Sequence, residues 1–549
     1  MKKAVLFTHP AGLRARESLK KLSAYCSERG LRARLVEFDD FLIPVHLEEC
    51  PAAAADELLC GPAGLAYLLR LPKDYLRALW RSAVVRGLEE IQPTDECLLL
   101  SIHSVFHNNK SREFFSPVQI EYLREEVGKK GFEIQRVVVL IDDIYDVFRQ
   151  LSTSEQLFQI DNASDAYKKA ISAILNLHLA LNWRSVEVFE SSQLAQVLHC
   201  GAPLILAVKQ PLSVAHDMIQ GKPLAYVSHP ITDVRDDQDF HKAVNDLATA
   251  LAHSGLVAPL CPTAIDELRF VQQREDHTDV FLPTLDTRWP YGTTSDILFC
   301  PPSDPNMNPI DPDGGIAAGD GERFVISGLL EALKDAMSSQ VNARDRELVE
   351  QASLIVVWRP YYRGNLSQGV AEEIWHRNSL LEHGLVAAGG KPCFVYAPLT
   401  DLGAWRIAAV AKEIGVMLRL QDVPRSEVDE VTARIREGLM DSDLLAAFAN
   451  GNASFQAVRN IAKGVFPRLR LVGPKEGAMG GKREVENNVV QSELWRELVT
   501  EILAQSPLKR DLRDGDDIVE TEMGVDQFVT HAMQQWSRLE KGGELVGKT

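Results

Sequence analysis

What this chain lacks narrows its class before any motif is read. No apolar run approaches the ~18 residues that a membrane span requires. The opening stretch Ala4 to Phe7, after Met1-Lys2-Lys3, is also too short in its apolar part for a signal peptide. Cysteine pairing is missing as well. The eight cysteines (Cys26, Cys50, Cys60, Cys97, Cys200, Cys261, Cys300, Cys393) are scattered, with no C-x-x-C pair and no metal-type spacing to histidine. That pattern encodes neither a zinc site nor a disulfide framework and leaves reduced, mostly buried thiols. Positive charge is in deficit: 59 Lys and Arg face 77 Asp and Glu, a net charge of −18. Such a chain is unsuited to coating nucleic acid, although a local basic pocket for a small anionic ligand remains compatible with it. These absences predict a cytoplasmic protein with no membrane and no extended nucleic acid as partner, no metal and no resident cofactor.

What is present is an ordinary globular composition. Of 549 residues, 45% are hydrophobic and 25% charged, enough for about three or four cores at ~150 residues per domain. In residues 1–220, buried-strand candidates lie at 4–8, 33–38, 97–102, 137–141 and 204–208, with amphipathic helical patterns between them. Alternating strand and helix predicts a parallel, doubly wound sheet. The first strand runs into Thr8-His9-Pro10-Ala11-Gly12-Leu13-Arg14-Ala15-Arg16-Glu17-Ser18, where a P-loop would stand. A working P-loop needs G-x-x-x-x-G-K-[ST], so that backbone N–H groups cradle phosphates, Lys neutralises charge and a hydroxyl holds Mg²⁺. Only Gly12 and Ser18 survive here, and the Lys is absent. Leu140-Ile141-Asp142-Asp143 has the form of an acidic strand end, or equally of a helix cap. In outline the region resembles an adenylate-kinase-like P-loop domain that has lost phosphoryl transfer, with Arg14 and Arg16 as candidate replacements for the missing cation.

Gly221-Lys222-Pro223 reads as a linker into a second region, residues 222–422. Its strand candidates are 224–228, 257–261, 354–358, 393–396 and 416–420, a second α/β unit of flavodoxin-like character. A Pro/Gly/Asp-rich insertion at about 282–322 reads as a long loop or lid. The run 354–358 passes through an Arg/Pro/Tyr/Gly-rich loop into Ser367-Gln368-Gly369-Val370-Ala371-Glu372-Glu373-Ile374-Trp375. Ser367 is placed as an N-cap, Gly369 allows a ligand close to the backbone, and Glu373 would lie beside whatever binds. The plainer reading is a capped helix with both glutamates solvated.

Three stretches, in order, tip that balance: Tyr226-Val227-Ser228-His229-Pro230-Ile231-Thr232-Asp233-Val234-Arg235, then Ala343-Arg344-Asp345 leading into 354–358, then Ser367-x-Gly369-Val370-x-x-Glu373-Ile374. Together they resemble the nucleoside 2-deoxyribosyltransferase superfamily, closest to its 2'-deoxynucleoside 5'-phosphate N-hydrolase branch, over about 200 residues. The resemblance implies displacement at the anomeric carbon, with Glu373 as nucleophile, Asp345 as acid/base partner and Tyr226 orienting the nucleophile. It implies that Ser367 and Gly369 hold a 5'-phosphate, and that His229, Ile231 and Arg235 line the substrate loop. The partner is then a small nucleotide or nucleoside, and a homo-oligomer is expected. The chain departs from the family where Gly-Ser-Ile-Arg becomes His229-Pro230-Ile231-Thr232, which removes a phosphate-binding Arg; Arg359 or Arg363 could replace it.

Residues 423–549 are mainly helical in pattern, at 427–440, 492–504 and 525–539, and the acidic group Asp511, Asp514, Asp516 and Asp517 reads as a solvated loop. Three functions follow from these features: an N-glycosidase regulated by the kinase-like domain, with an NAD-cleaving effector as a close variant; a non-catalytic nucleotide-sensing scaffold; and a nucleotide kinase, against which the missing lysine speaks.

Overall fold

A computed structural model describes residues 1–50, 64, 67–108, 111, 113–153, 166–231, 234, 237–265, 271–273, 279–281, 320–386, 390–419, 424–440, 442–450, 453, 455–465, 493–504, 507–513 and 515–541. The chain is α/β, with two parallel sheets in two compact units. Neither unit is contiguous. Met1–Leu224 and Val257–Gln351 form the first, and Ala225–Leu256 and Ala352–Lys548 the second. The insertion expected at 282–322 lies almost wholly outside the described residues.

In the first unit, strands β1 (Lys2–Thr8), β2 (Ala33–Glu37), β3 (Cys97–Ile102), β4 (Phe132–Ile141) and β5 (Leu204–Ala207) are all parallel, in the order β2-β3-β1-β4-β5. β1, β3 and the second half of β4 are mostly apolar runs, because a strand covered on both faces has no polar side to show, whereas edge strand β2 carries Arg34 and Glu37 and is only partly buried. On one face Ala4, Leu6, Leu98 and Leu100 pack against Leu79, Trp80 and Ala83 of the Lys73–Leu88 helix and Leu123 and Val127 of Ile120–Lys129. At the carboxyl edge, Gly12 turns the loop after β1 with φ +83°. A Cβ there would come within 2.8 Å of the Val147 carbonyl, so only glycine fits this approach.

In the second unit β6 (Leu224–Ser228), β7 (Leu354–Trp358), β8 (Cys393–Tyr396) and β9 (Asp517–Val519) run parallel, β7 between β6 and β8, and β9 beyond β8. Two readings of the sequence are corrected here. Residues 416–419 continue the Leu399–Arg419 helix instead of starting a strand. Buried Ile407, Val410, Ala411, Ile414 and Leu418 repeat at helical spacing, so the apolar end of that helix only imitates a short strand. The strand on the far side of β8 is Asp517–Val519, from the C-terminal region.

Asp516 is likewise no solvated acid. Its side chain is fully buried and bound to Arg377 through both guanidinium ends, the Nη1–Oδ2 pair at 2.7 Å. It also accepts the backbone N–H groups of Cys393 and Arg513, each at 2.7 Å. A buried carboxylate with this many donors pins the entry of β9 beside β8.

The C-terminal helices Arg425–Leu439, Ser442–Ala449, Phe455–Val465 and Glu493–Ala504 share one apolar core with the Leu399–Arg419 helix. Among the described residues no helix is long and apolar enough to cross a membrane.

Candidate active site

β6 and β7 are neighbours, with Tyr226 opposite Ile355 and Ser228 opposite Val357. After β7 the chain turns through Tyr362–Gly364 and enters the Gln368–Glu382 helix. Ser367 is its N-cap: the side chain accepts the Val370 N–H, at 3.5 Å, the long end of such contacts. Glu373 follows one turn later and reaches back to β6. Tyr226 Oη donates to Glu373 Oε1 at 2.5 Å, and Ser228 Oγ donates to Glu373 Oε2. Tyr226 and Ser228 are wholly buried, while Glu373 keeps partial exposure. Residues two apart on a strand face the same side, which is why both hydroxyls can meet one carboxylate.

The structure thus brings Tyr226 and Glu373 together. It adds Ser228, which sequence reasoning did not single out; its only signal was the i, i+2 spacing from Tyr226. Glu372, by contrast, is exposed and accepts a hydrogen bond from Gln368 Nε2 at 2.8 Å on the outer face of the helix. Gly369 is exposed, and a Cβ built on it would meet nothing within 4 Å. Ile231 sits in the turn after β6, half-buried, and Arg235 lies outside the described residues. His229 is buried; its Nδ1 lies 3.4 Å from the Val227 carbonyl and its ring tilts against Phe240. Burial pushes its imidazole down to about 4, so it is neutral near pH 7.

Asp345 belongs to the first unit, on the Asp320–Gln351 helix. Arg344 holds its carboxylate through Nε and Nη2 at 3.1 and 2.9 Å, and donates through Nη1 to the Ile265 carbonyl at 2.8 Å.

The two arginines after β7 are engaged. Arg359, at φ +49°, makes a two-pronged pair with Asp401 at 2.7 and 2.8 Å. Arg363 contacts Asp237 at 3.2 Å. Asp237 also caps the Gln238–His253 helix and accepts from Tyr362 Oη, and that tyrosine hydrogen bond is the main reason its carboxyl is held below the usual range.

At the carboxyl edge of the first sheet, Asp142 is buried and paired with Lys209, 3.4 Å away at the end of β5. Arg16 pairs with Glu37 and Asp40 at 3.1 and 3.0 Å, and Arg14 with Glu17 at 3.7 Å. Beside them Asp39 accepts both the backbone N–H and Nδ1 of His103, at 2.9 and 2.7 Å. Among the described residues no cluster of three or more His, Cys, Asp or Glu could hold a metal ion.

Comparison of the chain with protein-family models and with curated proteins gives no match.

Proposed function

We propose that the second unit cleaves the N-glycosidic bond of a nucleoside or nucleotide, with Glu373 as the nucleophile. One observation carries this reading: a partly exposed carboxylate stands beside the carboxyl end of β6 with Tyr226 bound to one of its oxygens. Ligands of open α/β sheets occupy that edge. A carboxylate held in a fixed orientation is what displacement at a sugar carbon needs.

In the reaction, a Glu373 oxygen forms a bond to C1' as the C1'–N bond breaks and its electron pair leaves with the base. The base takes up a proton from solvent, and the water that next attacks C1' returns one to it. Water then adds at C1' and releases the sugar, regenerating the Glu373 carboxylate. The resemblance sets Ser367 and Gly369 beside the sugar's 5' side. In this reading residues 222–422 are deoxyribosyltransferase-like, and residues 1–220 are P-loop-kinase-like, without phosphoryl transfer and regulatory. The protein would then work in the cytoplasm as a homo-oligomer.

The test is incubation with a pooled panel of nucleosides, nucleotides and NAD in H₂¹⁸O, followed by mass spectrometry. Release of a free base with one ¹⁸O in the sugar product supports the proposal. Intact substrates throughout, with binding seen by calorimetry, would replace it with a non-catalytic sensor.

A further inference from the structure

Resting on that reading, we propose that Ser228 is a second positioning residue for the Glu373 nucleophile, acting on the oxygen that Tyr226 does not hold. The two donors come from one strand face and take one carboxylate oxygen each, Tyr226 Oη on Oε1 and Ser228 Oγ on Oε2.

The terminal torsion of a glutamate is broad when unrestrained. One hydrogen bond fixes a point of the carboxylate; two, on different oxygens, fix its plane. Each oxygen still has lone-pair capacity beyond the hydroxyl it accepts, so the pair sets the direction of attack without consuming the nucleophile. Both donors are neutral, so they favour the ionised form without the charge neutralisation that a lysine or arginine would impose.

Burial makes the serine specific. Ser228 is completely inaccessible, so bulk water does not take over its role once its hydroxyl is removed. Loss of Ser228 removes the hydroxyl that Oε2 accepts and leaves Tyr226 on Oε1. The loss therefore falls on orientation and ionisation of the nucleophile, with substrate binding little changed.

The experiment compares wild type, Ser228→Ala, Ser228→Thr and Glu373→Ala for base release over a pH series, with circular dichroism as the check of folding. Ser228→Ala should lower kcat by about 10- to 100-fold, a range ordinary for a lost positioning contact, with KM nearly unchanged. The acidic limb of its pH–rate profile should move to higher pH, because an anion-favouring donor is gone. Ser228→Thr, which keeps the hydroxyl, should recover most of the rate and the original limb.

If Glu373→Ala abolishes base release while Ser228→Ala keeps the wild-type kcat and pH profile, the role of Ser228 is refuted and the glycosidase reading stands. A folded Ser228→Ala protein that changes only KM refutes it equally. Wild-type base release by Glu373→Ala, or no base release by the wild type from any substrate, overturns the glycosidase reading and this inference with it.

Discussion

Tyr226 and Glu373 stand 147 positions apart in the chain, and the phenol of one donates to the carboxylate of the other at 2.5 Å. The link depends on sheet topology. β6 and β7 must be parallel neighbours, and the helix after β7 must return over β6 for the contact to close. The fold thereby turns an ordinary capped helix into a held carboxylate at a sheet edge.

Gly369 separates structural from ligand effects. A Cβ would meet nothing and the residue is helical, so Gly369→Ala should leave stability unchanged or raise it by up to about 1 kcal/mol. If substrate approaches the backbone there, KM should rise about tenfold or more. Urea melts and steady-state kinetics on the same protein check both. An unchanged KM would remove Gly369 from the binding site.

Substrate charge follows from the engaged arginines. Asp401 occupies both prongs of Arg359, and Asp237 contacts Arg363. A 5'-phosphate has to compete with carboxylates already in place. A nucleoside should therefore be cleaved with kcat/KM at least equal to that of its 5'-monophosphate. Asp401→Asn, which frees the Arg359 guanidinium, should shift the ratio toward the monophosphate by about tenfold. A strong wild-type preference for the monophosphate would contradict this.

His229 gives a pH dependence with a definite sign. Its native pKa is depressed to about 4, below the ~6.5 of an unfolded histidine. As pH falls through that interval the unfolded chain binds a proton that the native state refuses, so stability is lost. The loss approaches about 3 kcal/mol and then levels off. His229→Phe should flatten this part of the stability curve between about pH 6.5 and 4, measured by denaturant midpoints. An unaltered curve would show that His229 does not titrate in this way.

Much of this architecture was legible in the sequence. The runs at 4–8, 97–102, 224–228 and 354–358 are almost wholly apolar because their strands are buried on both faces, and such runs announce themselves. Ser367 was readable as a cap because Ser before a helical pattern has a local chemical reason. Asp517–Val519 was not legible: three residues opening on an aspartate carry no alternation. Asp516 looked solvated because its partner Arg377 is 139 positions away. Ser228 was hidden for the same reason, since only the return of the helix over the strand gives its hydroxyl a carboxylate to hold.

The buried Arg377–Asp516 pair should be costly to break from one side. Asp516→Ala strands a guanidinium that is almost wholly inaccessible and removes the acceptor for two backbone N–H groups. Equilibrium unfolding should show a loss of about 3–5 kcal/mol. The double change Arg377→Met, Asp516→Leu should cost clearly less, and a larger loss in the double variant would refute the account of the pair.

The most direct test of the central claim is base release by Glu373→Ala beside Glu372→Ala, on whichever substrate the wild type cleaves. Glu373→Ala should fall by at least about a thousandfold, the scale expected for a lost nucleophile, with its fold intact. Glu372→Ala, changed on the exposed face of the same helix, should stay near the wild-type rate. Undiminished base release by Glu373→Ala would contradict the account.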